Sequence, residues 1–594
     1  VTHSLRIGGA SGFWGDAPHA TQQLLRAPKI DFLVYDYLAE ITMSIMARAR
    51  LKDPQKGYAV DFVSDVIANN LTQIAEQGVK VLSNAGGVNP VACAVALRRK
   101  SAELGLNVKV AVVEGDDLLP RVAEFVDRTE MFSGAPMPPT EKIASVNAYV
   151  GAGPILAALH ARADIVITGR CVDSALTLAA CMYHFGWRQE NHDLLAAGSL
   201  AGHLLECGPQ ATGGNFTDWE MAGDIAQIGY PIVEVSTDGG LVLTKPKGTA
   251  GCVTPASVCE QMLYEIGDPQ SYILPDVICD FSDVRIEQSE PDHVTVSGAK
   301  GRAPTGQFKV SATWADGYRA GMTILINGRE ARQKAKTFAQ AGLDRARAVL
   351  HRIGAPDYRE VSFETFGGRP GDGDYEEISL KAAVKHDDPR AVGVFLREMT
   401  GCALAAPPGL HIFTGGGRPK PSPVVALFSF LVPNDTLTYC VTMDGDDIAY
   451  NQPKTFLQDP EPVPAKAPEI TDEKVTEWIT CPLEDLAWAR SGDKGDAANI
   501  GVIARHATFL PYIWAALTEA TLADVFSDHL SGRVERFYLP GTHSMNILLH
   551  NALGGGGVAS LRNDAQGKSY AQILLATPIR IPAELSSYTE RGEH

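Results

Sequence analysis

The chain has 594 residues, a formal charge of −18, a pI near 5.3 and 45 % hydrophobic residues. Its length suggests about three or four modules with several cores, and its acidity, with no Lys/Arg run, excludes the cationic footprint that nucleic acid requires. No apolar run reaches the ~18 residues of a spanning helix and VTHSLRIGG lacks the regions of a signal peptide, so a cytoplasmic protein with no membrane partner is expected.

Residues 5 to about 190 alternate short β-branched runs with helical patterns, which predicts βα units around a parallel, Rossmann-like sheet in an α/β fold. The expected strands are Leu5–Gly8, Phe32–Tyr35, Val79–Ser83, Val108–Val113 and Ile165–Thr168. The loops behind them, GASGFWGD, DYLAE, NAGGVNP, EGDD and GRCVDSA, should converge beyond the carboxyl ends of the strands, where such sheets bind ligands. SGAPMPPT at 133–140 is too rich in proline for a helix, and the helix beginning near residue 191 should stop near Cys207-Gly208-Pro209.

From 230 the text alternates apolar and polar residues between turns, which predicts an antiparallel α+β continuation to 458. It contains a helix near Arg332–Arg352, a glycine loop at 366–377, and a second βα-like portion over 378–450 with FTGGGRPKPSP after a strand at 410–413. DPEPVPAKAPEI falls in a proline-rich linker assigned to 459–474. The divisions are therefore 1–229, 230–458, 459–474 and 475–594. The last is a small ferredoxin-like α+β domain with strands near Asn499–Ala504, Val534–Leu539, Met545–His550 and Tyr570–Ile579, and helices around Pro511–Ala520 and Leu522–Ser527.

Candidate chemistry lies mainly in the loops. Gly9, Ser11, Gly12, Gly15 and Asp16 form a glycine-rich turn ahead of a helix at His19–Leu25, whose N–H groups would face an anion. With Asp36 ending the next strand, this imitates a dinucleotide fingerprint, although Tyr450-x-x-x-Lys454 contains Pro453 and cannot place both side chains on one helical face. A glycine loop that only turns a strand into a helix is the competing explanation. Asn84, Gly86 and Gly87 can hold a carbonyl oxygen as charge develops on it, while Asn89 can simply cap the helix begun by Pro90. Arg170 and Asp173 pair an anion clamp with a possible base; Cys171 reads as a structural thiol. His203, Glu206 and Cys207 share one side of a helix near the loop holding Asn215, either as an acid–base cluster or as a helix end. Lys494, in Arg490-Ser-Gly-Asp-Lys-Gly-Asp496, either helps a backbone nest bind an anion or belongs to a self-paired turn. Ten cysteines without Cys-x-x-Cys and fifteen histidines without His-Glu-x-x-His offer no local metal signature, and no metal is predicted.

IGGASGFWGD, DYLAE, SNAGGVNP, ITGRCVDSAL, LECGPQATGGNF and ARSGDKGDAANIGVIAR, in this order, resemble the acyclic terpene utilisation A (AtuA) family. The resemblance covers residues 5 to about 450 as its main domain and about 475 to 585 as its small ferredoxin-fold partner. It implies a place in bacterial clusters that degrade citronellol and geraniol through acyl-CoA intermediates, and it leaves the reaction open.

The inventory of a carbonyl-stabilising loop, a proton-transfer group and no cofactor signature leads to a catabolic lyase or hydratase acting on a carboxylate or an acyl-CoA thioester. Asp173, Glu206 and His203 are the candidate catalytic residues. Gly9, Ser11, Gly12, Gly15, Asp16, Asn84, Gly86, Gly87, Arg170, Asn215 and Lys494 are the candidate substrate-binding residues. A non-catalytic subunit of a partner enzyme is the alternative, a nicotinamide oxidoreductase the third reading, and a homo-oligomer is expected.

Overall fold

Strands buried on both faces read as continuous apolar runs, and the N-terminal runs do form such strands in the computed structural model. It describes residues 4–368, 376–412, 419–453, 462–470, 475, 477–557 and 559–588. Strands β1 (Leu5–Gly9), β2 (Phe32–Tyr35), β3 (Lys80–Ser83), β4 (Val110–Glu114), β5 (Ile143–Ala148) and β6 (Ile165–Thr168) follow in chain order. All but β5 form a parallel core in the order β1-β2-β3-β6-β4. Antiparallel strands flank this core: β7 (Ile232–Val235), β8 (Leu241–Thr244) and the hairpin Arg285–Glu290/His293–Ser297 on one edge, Cys440–Met443 and Asp446–Ile448 on the other. The sheet is thus eleven-stranded and mixed, a correction to the purely parallel expectation. Segments far along the chain pair with both edges of the parallel core.

The order of the parallel strands decides where a site can form. Helices α1 (His19–Leu25), α2 (Glu40–Lys52), α3 (Ala68–Gln77) and α4 (Pro90–Glu103) pack Leu24, Met43, Leu71 and Leu97 against Leu33, Tyr35 and Val81 on one face. Helices α5 (Gly153–His160), α6 (Ala175–Phe185) and α7 (His192–Leu205) pack Ile155, Leu176 and Leu200 with Val34, Leu82 and Val166 on the other. The chain advances from β1 to β4, leaving one place vacant, then returns to fill it with β6. Right-handed crossovers send the two directions of travel to opposite faces. The connections leaving β3 and β6 therefore diverge, and a crevice opens between their carboxyl ends.

Strand β5, absent from the sequence expectation, pairs with β9 (Gln307–Gly328), the long strand of a second, antiparallel sheet. This sheet includes Glu360–Gly367, Glu376–His386, Leu410–Ile412 and Ser422–Pro433, with helices Ala331–Arg352 and Pro389–Gly401 packed on it. The βα-like expectation for 378–450 is corrected accordingly: these strands pair antiparallel. Parts of two expected glycine loops, 369–375 and 413–418, lie outside the described residues, as do Lys454 and parts of the expected linker, 454–461 and 471–474.

The C-terminal domain pairs β10 (Ala487–Lys494) with β11 (Ala497–Ala504), then Ser544–Leu549 and Val534–Leu539. Helices Leu510–Ala516, Glu519–Val525 and Tyr570–Leu575 complete it. The expected strand Tyr570–Ile579 is instead this last helix, followed by strand Pro578–Pro582 paired with Trp478–Pro482. Tyr570, Ala571 and Leu574 share a buried helical stripe, which an alternation reading misses. Among the described residues no helix is long and apolar enough to cross a membrane.

The crevice requires close approach of its loops. A Cβ on Gly86 would lie 2.4 Å from the Thr168 carbonyl oxygen, whereas one on Gly15, at φ 99°, would meet nothing within 4 Å. Gly86→Ala is expected to lower the unfolding free energy by about 3 kcal/mol and Gly15→Ala by about 1 kcal/mol. Urea denaturation measures both; equal effects would contradict the tight crossing at β3 and β6.

Candidate active site

Short polar bonds lace the carboxyl ends of β1, β2 and β3 together. Asn84, fully buried, donates from Nδ2 to Asp36 Oδ1 at 2.6 Å and accepts the Tyr37 backbone N–H at 2.7 Å. Ser11 Oγ lies 3.0 Å from the Asp36 carbonyl oxygen, to which it can donate. Burial, then the Asp173 charge, pushes the Asp36 carboxyl well above its usual range, against the opposing pull of Arg170 and Asn84.

Arg170 follows β6 and is 5 % exposed. Its Nη1 donates to Asp173 Oδ1 at 2.6 Å and to the Cys171 carbonyl at 2.9 Å, and the guanidinium stands 4.3 Å from the Tyr149 ring centroid. Its buried Nε has no hydrogen-bond partner among the described residues. Tyr149 donates its hydroxyl to Glu40, and Lys309, from β9, lies 4.8 Å from the same ring centroid. Burial works against ionised Glu40, yet Lys309, Arg170 and the Tyr149 hydroxyl hold its carboxyl down at about 2. Asp116, behind β4, accepts the Arg170 backbone N–H and the Asn147 amide, both at 2.8 Å.

The opposite wall comes from the end of α7. His203 Nε2 lies 3.1 Å from the Met262 carbonyl oxygen, which can only accept, so Nε2 is the donor. The other nitrogen, Nδ1, is then left facing Glu206 Oε1 at 2.9 Å. The 2.9 Å approach falls short of hydrogen-bond geometry, since buried Nδ1 has no hydrogen-bond partner among the described residues, but it places the two groups within each other's field. Burial acts against His203 charging, but Glu206 raises its affinity for the proton; burial likewise lifts Glu206, with His203 opposing. The pair is a buried acid with a basic backing group.

The small domain supplies the remaining side. Arg490 and Glu260, on helix α8 (Pro255–Leu263), form a buried ion pair at 2.9 Å, and Arg490 also donates to the Gly214 carbonyl at 2.9 Å. Asn499 and Asn546 donate to the carbonyls of Leu263 at 2.7 Å and Gly267 at 2.6 Å. At the end of β10, Lys494 Nζ stands 5.3 Å from the ring centroid of Tyr272 in the main domain. Solvent reaches the side chain, yet main-domain charges surround it, as expected of a group projecting into a cleft. Desolvation by the protein atoms crowded around this solvent-reached amine, and then Lys309, push its pKa down, against the opposing carboxylates of Glu265, Glu206 and Asp173.

The family model for acyclic terpene utilisation family protein AtuA matches residues 5–443, well over half of the chain. The chain belongs to the AtuA family. The AtuA ferredoxin-like domain matches residues 481–580, the unit that brings Lys494 into the cleft. No curated protein and no solved structure matches this AtuA chain.

Of the residues singled out in the AtuA sequence, the fold brings Arg170, Asp173, His203, Glu206 and Lys494 near enough for their charges to act on one another. Asn84 lies beneath it, with both ends of its carboxamide engaged by protein. Gly9 and Gly12 have another physical explanation: a Cβ there would come within 2.8 Å of the Leu205 carbonyl oxygen and 2.9 Å of the Cys207 backbone. The end of α7 thus packs directly against this loop. Asp16 closes the loop by accepting from the Gly12 and Ala17 N–H groups and the Tyr230 hydroxyl. Gly87 packs against Met46, Asn89 caps α4, and Asn215 is exposed with φ 53° on the loop that receives the small domain. Burial pushes the Cys171 thiol up to about 12, the behaviour of a structural thiol. Tyr149, Lys309, Glu265 and Tyr272 carry no motif and were missed; in the loop DYLAE, Asp36 was read only as part of a possible dinucleotide fingerprint and Glu40 had no assigned role. Among the described residues no group of three or more His, Cys, Asp or Glu is arranged to hold a metal.

Burial lifts the Asp116 carboxyl from its ordinary 3.8 to about 7. The native state therefore keeps a proton that the unfolded chain releases, and the associated stability is present below pH 3.8 and lost as pH rises through about 7. Thermal unfolding between pH 5 and pH 8 should lose on the order of a few kcal/mol that Asp116→Asn does not lose. Parallel pH profiles for the two proteins would contradict this protonation state.

Proposed function

We propose that this AtuA chain is a cytoplasmic acid–base enzyme, a lyase or hydratase acting on a carboxylate or an acyl-CoA thioester in acyclic terpene or acid degradation. The observation that carries the proposal is the buried approach of His203 Nδ1 to Glu206 Oε1 at 2.9 Å, in the field of the cations Arg170 and Lys494. Adding or removing a proton next to a carbonyl needs a group whose proton affinity lies above that of an ordinary carboxylate, and burial supplies that at Glu206. The negative charge that then develops on the carbonyl oxygen needs fixed positive groups in a site of low dielectric, the situation of Arg170.

The roles follow from geometry. Glu206 moves the proton and His203 shares it, anchored through Nε2. Asp173 holds the guanidinium at 2.6 Å, so Arg170 meets a carboxylate or thioester oxygen without reorganising. Tyr149 and Glu40 fix the plane on which that guanidinium rests.

The test uses unsaturated and hydroxylated acyl-CoA thioesters, with the matching free acids, in heavy water, and reads deuterium entering beside the carbonyl by mass spectrometry. Glu206→Gln, which keeps the size and loses the exchangeable acid, is expected to slow exchange by about 10²–10⁴-fold. Exchange at the wild-type rate in this variant would overturn the assignment.

A further inference from the structure

Lys494 is more than one further cation in the cleft. No carboxylate lies within 4 Å of its Nζ among the described residues, although Glu206, Glu265 and Asp173 all act on it. The fixed anion-binding role is already filled by Arg170, whose Nη1 is tied to Asp173 and Cys171 while Nε stays without a partner. The amine projects from the last residue of β10 into a space reached by solvent, with the Tyr272 ring 5.3 Å from Nζ. The position of the strand is set from outside the cleft: Arg490 pairs with Glu260, and a Cβ on Gly492 would lie 2.6 Å from the Tyr264 ring. Residues 490, 492 and 494 lie two apart and face one side of β10, so the contacts that seat the strand also aim the amine.

We propose that Lys494 is an amine nucleophile that forms a Schiff base with the carbonyl carbon of an oxo acid whose carboxylate is held by Arg170. The proposal rests on the acid–base reading above for its proton donor, and it narrows the substrate class to carboxylates bearing a ketone or aldehyde. The lone pair of neutral Nζ attacks the carbonyl carbon, and the carbonyl π electrons move to oxygen, which takes the proton held by Glu206 and His203. Nζ returns one proton to Glu206. The carbinolamine hydroxyl then takes that proton and leaves as water while the nitrogen lone pair forms the C=N bond. The balance is amine plus carbonyl plus one proton giving iminium plus water, with no oxidant or reductant. The iminium withdraws the electron pair released when a neighbouring C–H or C–C bond breaks, which is what a lyase step requires.

Two further observations favour a reactive amine over a permanent ammonium. Partial desolvation by the surrounding protein and the like charge of Lys309 both disfavour the protonated form, against the carboxylates of Glu265, Glu206 and Asp173. The acid that must protonate the departing oxygen, Glu206, acts electrostatically on the same lysine, and burial raises its affinity for a proton.

The experiment incubates the whole wild-type chain with pyruvate, acetoacetate or levulinate and sodium cyanoborohydride near neutral pH, then maps adducts by peptide mass spectrometry. Irreversible reduction records the imine without requiring turnover. The expected result is an adduct on Lys494 with at least one of the three acids, formed about tenfold or more faster than on exposed lysines. Glu206→Gln should slow its formation, and Lys494→Arg should remove it while the surface background remains. Absence of a Lys494 adduct with all three acids, or labelling no faster than on exposed lysines, would overturn the proposal. That failure is distinct from failure of the acid–base reading, which is measured by deuterium exchange in Glu206→Gln.

Discussion

The ion pair between Arg490 and Glu260 is the contact on which the cleft depends. Both side chains are buried, and Glu260 also accepts from the Thr217 hydroxyl at 2.5 Å. Removing one partner of such a pair leaves an uncompensated buried charge at a cost of about 3–5 kcal/mol, so the small domain has one firmly preferred seat. The surrounding bonds have the same character: Asn499 meets the Leu263 carbonyl at the end of α8, and Asn546 meets the Gly267 carbonyl in the loop behind it. Seating this domain does not merely cover the sheet. It delivers a lysine to the place where the loops behind β3 and β6 diverge.

The cleft then has a charge problem that explains its proton positions. Asp36, Glu40, Asp173, Glu206 and Glu265 act on a space whose cations are Arg170, Lys309 and Lys494. Burial disfavours the ionised form of the most enclosed carboxyls, Asp36, Glu40 and Glu206, and the outcome differs by partner. Glu40, beside Lys309 and the Tyr149 hydroxyl, stays ionised, whereas Asp36, dominated by burial, keeps its proton over a wider pH range. Glu206 lies between these extremes because His203 can share its proton. A carboxyl in that position can both give and take a proton, which neither Asp36 nor Glu40 can do as readily.

Much of the parallel core was legible because buried parallel strands leave continuous apolar text, and the loops behind them are short enough for their chemistry to be read in place. The pairing of distant segments was not. Strand β5 follows a proline-rich stretch and gains its identity only by pairing with β9, well over one hundred residues away. The helix at Tyr570 was mistaken for a strand because its apolar run is short, a case in which periodicity alone does not discriminate. In the site, Arg170, Asp173, His203 and Glu206 were legible as local clusters. Tyr149 and Lys309 were not, since each becomes part of the cleft only through the second sheet. The glycines were legible as necessary but not as to why: Gly9 and Gly12 make room for α7, and Gly86 makes room for the end of β6.

The central claim is that two units of the chain build one electrostatic site, and the most direct measurement is the titration of Lys494 by NMR of selectively carbon-13-labelled lysine. The account predicts a midpoint below the ordinary 10.5, because partial desolvation and Lys309 disfavour the ammonium. It also predicts that Lys309→Met, a change in the main domain, moves that midpoint upward. Titration of Lys494 together with the surface lysines, unmoved by the change at Lys309, would contradict it.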